Sequence, residues 1–164
     1  MLELAPGDLA GQYRRGVAGD SYNTAIYLAR AGLPVSYLTR LGDDPLSDDI
    51  VTRLQAEGIA TDLVSRAPGR RPGLYLIDND ADGERHFHYW RGEAPASELF
   101  DAPLDIAGLS VFYFTGITLA VTRSGLDNLV ALLCRLREEH CAVIFDPNYR
   151  PALWEKLDQA RRYY

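Results

Sequence analysis

Apolar positions recur at helical spacing between Asp20 and Arg30, where Tyr22, Ala25, Ile26 and Ala29 share one face. Asp20 or Ser21 stands where a cap belongs, and Gly32 follows as a stop. Val35-Ser36-Tyr37-Leu38-Thr39 then reads as a short strand, broken by Gly42-Asp43-Asp44-Pro45. A second amphipathic stretch, Ser47 to Glu57, turns Ile50, Val51 and Leu54 inward and stops at Gly58. A strand between helices is the rhythm of a parallel α/β sheet.

Pro68-Gly69 and Pro72-Gly73 punctuate the middle of the chain. Leu74 to Ile77 reads as a strand, Asp78 to Gly83 as a turn, and Glu84 to Arg91 as a second strand. Asn79, Asp80, Asp82 and Gly83 tolerate the positive φ of a hairpin turn. Inside an α/β domain such a hairpin is an insertion that covers something. After Asp105 the alternation returns with a strand over Val111–Thr115 and a helix over Ser124–Glu139, with Leu126, Leu129, Val130, Leu133 and Leu136 inward. A buried strand over Ala142–Phe145 then ends in Asp146-Pro147-Asn148-Tyr149-Arg150. A last helix starts near Pro151 and runs to Tyr164. No internal repeat, low-complexity segment or linker interrupts the chain. The expected class is α/β with a mostly parallel, doubly wound sheet. The strands are too few to protect the edges of such a sheet, no strand precedes Leu2, and the chain closes inside a helix, so a piece of a longer protein is expected.

Composition narrows the functions. The 164 residues are 47% hydrophobic and 24% charged, enough for a domain with a core. Seventeen basic against twenty-three acidic side chains give a net charge of −6 without a basic tract, which argues against nucleic-acid binding. No apolar run approaches the roughly 20 residues of a membrane helix, and Met1–Pro6 lacks the pattern of a signal peptide. Cys134 and Cys141, both expected in the core, fit a reducing, cytoplasmic compartment. Lys156 is the only lysine, no Gly-x-x-x-x-Gly-Lys occurs, and no Gly-x-Gly-x-x-Gly follows a strand. Neither a Ser–His–Asp nor a Cys–His arrangement has support, and His140 at a helix end complements the dipole.

Three segments could carry chemistry. Gly19-Asp20-Ser21-Tyr22-Asn23 would open a helix whose exposed N–H groups bind oxygens, with Asp20 and Asn23 in reach of sugar hydroxyls; a plain helix cap is the alternative. In the hairpin, period two puts Phe87, Tyr89 and Arg91 on one face and His86, His88 and Trp90 on the other, with Tyr75 and Ile77 sharing a face on the partner strand. Two tyrosines and a guanidinium suit a small hydroxylated anion, while aromatic strands equally suit a subunit interface. His86 and His88 lack a third metal ligand at sensible spacing. Asp146, Asn148 and Arg150 lie beyond the carboxyl end of a strand, where ligands sit in open α/β sheets; the alternative is a polar loop with Arg150 on a neighbouring carboxylate such as Asp146.

These residues together resemble the ribokinase-like (PfkB) carbohydrate kinases. Gly19-Asp20-x-x-Asn23-x-Ala25, with Gly32 seven residues on and Gly42 ten beyond, follows that family's first signature, Ser21 departing slightly. Gly42-Asp43-Asp44, Gly73-Leu74-Tyr75, Asp82-Gly83-Glu84-Arg85, Tyr89-Trp90-Arg91 and Asp146-Pro147-Asn148-Tyr149-Arg150 resemble the 2-keto-3-deoxygluconate kinases within it. The resemblance implies a large α/β domain with a small β-sheet lid, the hairpin at 74–91 being part of the lid, and pairing of lids between subunits. It implies sugar-acid contacts at Gly19, Asp20, Asn23, Tyr75, Tyr89, Arg91 and Arg150, with ATP and Mg²⁺ in the complete enzyme and neither bound by this chain alone. The second signature, Gly-Ala-Gly-Asp, which would bring the catalytic base, has no counterpart here. Ala18-Gly19-Asp20 imitates it, but the positions of Asn23, Ala25 and the later glycines assign Asp20 to the first signature and not to the base.

The expectation is thus the N-terminal, substrate-binding part of a sugar-acid kinase over residues 1–164. A fructokinase-like neutral-sugar kinase and a catalytically silent sugar-acid-binding fragment are the alternatives.

Overall fold

The computed structural model describes residues 1–9, 11–80, 82–154 and 156–162. It divides into two compact units, 1–96 and 97–164.

In the first unit a four-stranded sheet has the order β2-β1-β5-β6, built from β1 (Leu2–Pro6), β2 (Tyr13–Val17), β5 (Leu74–Asn79) and β6 (Arg85–Trp90). β1 runs parallel to β5, and both outer pairings are antiparallel. The expected hairpin is therefore present, with its strands from Leu74 and to Trp90. A second hairpin, β1–β2, accompanies it; the polar run Tyr13-Arg14-Arg15 hides it from the hydrophobic pattern. Beside this sheet, β3 (Thr39–Gly42) pairs in parallel with β4 (Val64–Ala67). The strand expected at Val35–Thr39 is displaced toward Gly42, and only the bridge Ser36↔Ala60 remains of its first half.

The helices α1 (Asp20–Arg30) and α2 (Pro45–Ala56) bury Tyr22 and Ala25, and Ile50 and Leu54, against Leu2, Leu41 and Ile59. Each fully buried Leu or Ile contributes about 1.5–3 kcal/mol. Neither Asp20 nor Ser21 caps α1: Gly19 holds the cap position, Asp20 is the first helical residue, and the Ser21 hydroxyl lies 3.1 Å from the Tyr37 hydroxyl. Asp44 caps α2, its carboxylate accepting from the amides of Leu46 and Ser47 and, at 2.6 Å, from the Ser47 hydroxyl. Gly42 is required by close approach. A Cβ there would lie 1.9 Å from the Arg70 carbonyl oxygen, and the segment is further tied by Arg66 Nη1 to the Gly42 carbonyl (2.8 Å) and Gly69 N–H to Asp43 (2.8 Å).

In the second unit, β7 (Val111–Thr115) and β8 (Ala142–Asp146) form a parallel pair. Between them come α3 (Gly116–Val121), a short apolar turn that the sequence pattern does not separate from β7, and α4 (Leu126–Glu138). Leu129, Leu132 and Leu136 are the buried face of α4, so Val130 is not inward: it is 57% exposed. Cys134, on the same side, is exposed rather than core, whereas Cys141 is buried. Ala142, Val143 and Ile144 are exposed too, because among the described residues β8 pairs only with β7 and is an edge strand, not the deeply buried strand expected. The last helix is also shorter than expected: a 3-10 turn covers Pro151–Leu153, α5 covers Leu157–Arg161, and Tyr164 lies outside the described residues.

Three helices end alike. The amide two residues past the cap donates to a carbonyl of the last turn in Leu33→Leu28, Ile59→Leu54 and Cys141→Leu136. Gly32 and Gly58 supply the left-handed residue in the first two, and His140, at φ 61, supplies it in the third. His140 is thus explained by chain reversal.

Candidate ligand site on the four-stranded sheet

Strand register assembles the site. Val17, Leu2, Leu74 and Trp90 form one row across the base of the four-stranded sheet. Gly19 follows this row from β2 and Arg91 leaves it from β6, so the two segments depart about 14 Å apart, three strand spacings. The base is laced to α1 by the Ala18 amide donating to the Met1 carbonyl (3.1 Å) and by Asn23 N–H closing the first helical turn on Gly19 (2.8 Å).

The next row is Gly16, Glu3, Tyr75 and Tyr89. Leu2 belongs to the core cluster with Leu74 packed against it, so by strand alternation this row turns to the opposite face. Tyr75 and Tyr89, directly opposed, have ring centroids 5.7 Å apart; Phe87, opposite Ile77, lies 6.1 Å from Tyr75 and stacks on Tyr89 at 6.3 Å. The face expected from period two, Phe87, Tyr89 and Arg91 with Tyr75 and Ile77, is present as one surface. Tyr75 is buried beneath its neighbours, while Phe87 and Tyr89 are about half exposed.

The Arg91 guanidinium sits over the Tyr89 ring, 4.5 Å from its centroid. Burial pushes its pKa down, the Tyr89 oxygen opposing. Arg91 makes no ion pair among the described residues, so a partly desolvated cation is held with only an aromatic face for company. At the other side of the row the Tyr75 hydroxyl donates to Glu3 Oε2. Burial, then this bond and the Glu3 charge, raise the Tyr75 phenol well above its ordinary value. Glu3 is the residue that sequence reasoning missed; the signal available was one carboxylate between Leu2 and Leu4.

Gly19, Asp20 and Asn23 stand at the start of α1 just beyond the base of the sheet, with the Asn23 side chain exposed. Arg150 belongs to the second unit. There Asp146 accepts from the Tyr113 hydroxyl (3.2 Å) and the Asn148 amide (3.1 Å), and Arg150 is exposed without an ion pair among the described residues. The pairing of Arg150 with Asp146 is therefore not formed. On the reverse of this sheet, His86 bonds Asp80 at 2.9 Å and Trp90 is 58% exposed. Among the described residues no group of three or more His, Cys, Asp or Glu is gathered for a metal ion, and no helix is long and apolar enough to cross a membrane.

A small sheet with a cation-bearing aromatic face beside parallel strands and helices places the protein in the α/β class. The profile of the pfkB family carbohydrate kinases matches residues 4–164, and the chain belongs to that family. It is 37% identical over 175 aligned residues to a 2-dehydro-3-deoxygluconokinase of Dickeya dadantii, covering 100% of this chain and 56% of the relative. Fructokinase-2 of Solanum habrochaites is 28% identical, with 98% and 48% covered. The chain thus spans about half the length of the curated relatives it matches. Among solved structures, a PfkB family carbohydrate kinase from Listeria grayi superposes with a TM-score of 0.88 at 23% identity over 99% of this chain and 53% of the other. A 2-dehydro-3-deoxygluconokinase from Thermotoga maritima does so at 0.81 and 28%, over 94% and 50%. The fold is the ribokinase-like α/β fold, here over part of its length.

Proposed function

We propose that this chain is the acceptor-binding part of an ATP-dependent sugar-acid kinase, with 2-keto-3-deoxygluconate as the acceptor. The observation that carries this reading is the partly buried Arg91 guanidinium over Tyr89, without an ion pair among the described residues. Such a cation is costly beside a neutral ligand and repaid by a carboxylate. The names of the relatives support the same substrate class. In this reading Arg91 binds the carboxylate, Tyr75 and Tyr89 wall the carbon chain, and the start of α1 with Gly19, Asp20 and Asn23 meets hydroxyls. Arg150 is assigned to the acid on the resemblance alone. ATP with Mg²⁺ would supply the phosphoryl group in a full-length kinase of this family; the described residues gather no acidic cluster for the metal. The chain's own part is to bind and orient the acceptor and to exclude water with the lid.

Calorimetric titration of the 164-residue chain tests the proposal. 2-Keto-3-deoxygluconate should bind at least tenfold more tightly than fructose, by the worth of one charge-assisted contact, and the chain alone should not turn over ATP. Equal affinity for fructose would make this a neutral-sugar site, and steady turnover by the chain would overturn the division of labour. The exposed reverse face, His86, His88 and Trp90, is proposed to pair lids between two copies. Sedimentation of a dimer that Trp90→Asp converts to monomer supports this, and a wild-type monomer at micromolar concentration refutes it.

A further inference from the structure

The row that carries Tyr75 and Tyr89 is electrostatically asymmetric. Glu3 lies one strand to one side of Tyr75, and the Arg91 guanidinium lies over Tyr89 one strand to the other. Carboxylate-bearing and guanidinium-bearing ends are thus separated by about 10 Å, two strand spacings. Glu3 is only partly exposed, and among the described residues its carboxylate has no cationic partner and accepts from the Tyr75 hydroxyl. The flank toward β2 is open because the residue opposite is Gly16, where a Cβ would come within 3.3 Å of Glu3 Oε1. Among the described residues a partly buried carboxylate without a cation lies on the same face as a partly buried cation without an anion, which is the polarity of a site for a ligand with unlike ends.

Proton accounting sharpens this. Tyr75 has one hydroxyl proton and commits it to Glu3, so toward a ligand its oxygen offers lone pairs only. Glu3 offers only acceptors. That end of the row therefore welcomes hydroxyl donors and repels a carboxylate, while the Arg91 end attracts one.

We propose that Glu3 is a specificity-determining residue that fixes the direction of the acceptor, carboxylate toward Arg91 and hydroxyl tail toward Glu3, and that excludes sugar diacids. The inference rests on the sugar-acid reading above. It goes further in naming which acids are refused: an aldarate of the same carbon number, with a carboxylate at each end, must place one of them against Glu3 whichever way it enters.

Calorimetric titration of the 164-residue chain with 2-keto-3-deoxygluconate and with glucarate separates the two claims. Wild type should bind the monoacid and prefer it to the diacid by tenfold or more. Glu3→Gln keeps an acceptor for the Tyr75 hydroxyl but removes the charge, and should narrow that preference at least tenfold through gained diacid affinity. A purely structural role for Glu3 would weaken both acids together. Tyr75→Phe, which deletes the phenol and keeps the carboxylate, should weaken the monoacid while the preference persists. If wild type binds the monoacid but the preference is unchanged in Glu3→Gln, the role of Glu3 is wrong and the sugar-acid site stands. If wild type binds neither acid, the sugar-acid reading fails and takes this inference with it. Circular dichroism of each variant excludes misfolding, and should Glu3→Gln not fold, Glu3→Ser in its place gives the same two outcomes.

Discussion

Replacing Arg91 by Met keeps the length of the side chain and removes its charge, which should dissociate binding from stability. In the absence of ligand the guanidinium has two opposing terms. Its stacking on Tyr89, 4.5 Å from the centroid, contributes about 0.5–1 kcal/mol. Against this stands the desolvation of a cation without an acidic partner among the described residues, and removal of such a charge is neutral or stabilising. Because the group is only partly buried, both terms are discounted by solvent screening, and the difference in unfolding free energy should stay within about 1 kcal/mol. With a carboxylate bound, the balance changes. One charge-assisted hydrogen bond is worth about 1.5–3 kcal/mol, so affinity for the sugar acid should fall roughly tenfold to a hundredfold. Arg91→Lys should fall between, since an ammonium retains charge but loses the planar fork and the stack. Urea unfolding and calorimetric titration are run on the same samples. A loss of 3 kcal/mol or more in stability would make Arg91 a structural residue, and an equal loss of affinity for acid and neutral sugar would remove the carboxylate from the argument.

Two further outcomes test the frame around the site. Gly42→Ala should destabilise the first unit by about 3 kcal/mol, the upper range for overpacking, because the new Cβ meets the Arg70 carbonyl at 1.9 Å and backbone cannot swing aside; an unchanged urea midpoint would disprove that approach. Asp44→Ala should cost about 1–2 kcal/mol as a lost helix cap. Burial works against the Asp44 carboxylate, but the bonds from the Ser47 hydroxyl and the Leu46 and Ser47 amides outweigh it and hold its pKa below the ordinary value. The charge contribution is therefore present above about pH 4 and lost as pH falls through the lowered folded value. The gap between wild type and Asp44→Asn, measured by thermal unfolding, should close on acidification, and a gap that widens would reverse the assignment.

What could be read from the sequence follows the range of the interactions. α1 and the hairpin β5–β6 are specified locally: helical periodicity with a glycine stop, and alternation around an acidic turn closed by Gly83. Even face assignments in the hairpin hold, because period two and a short loop leave no freedom of register. β4 was not legible, since Ser65 and Arg66 at its centre are exposed and its stability comes from pairing with β3 residues 25 positions earlier in the Thr39↔Val64 register. Val130, Ala142 and Val143 mislead for the opposite reason: their apolar character is real, but exposure depends on what layers onto the sheet, which periodicity does not carry.

The site divides in the same way. Tyr75, Tyr89 and Arg91 come from one hairpin and are grouped by the sequence alone. Glu3 reaches them through the parallel pairing of β1 with β5, across 72 positions of sequence, and nothing local to Leu2-Glu3-Leu4 points there. The consequence is chemical as well as topological. Without Glu3 the two tyrosines look equivalent, and both would be assigned to steady a carboxylate. With Glu3 in the row, the Tyr75 proton is spent, and the two phenols take different partners. In the proposed reading the parallel strand pairing thus converts a symmetric aromatic wall into a directional one, and direction is what a kinase would need if one hydroxyl of a chain molecule is to meet the phosphoryl donor each time.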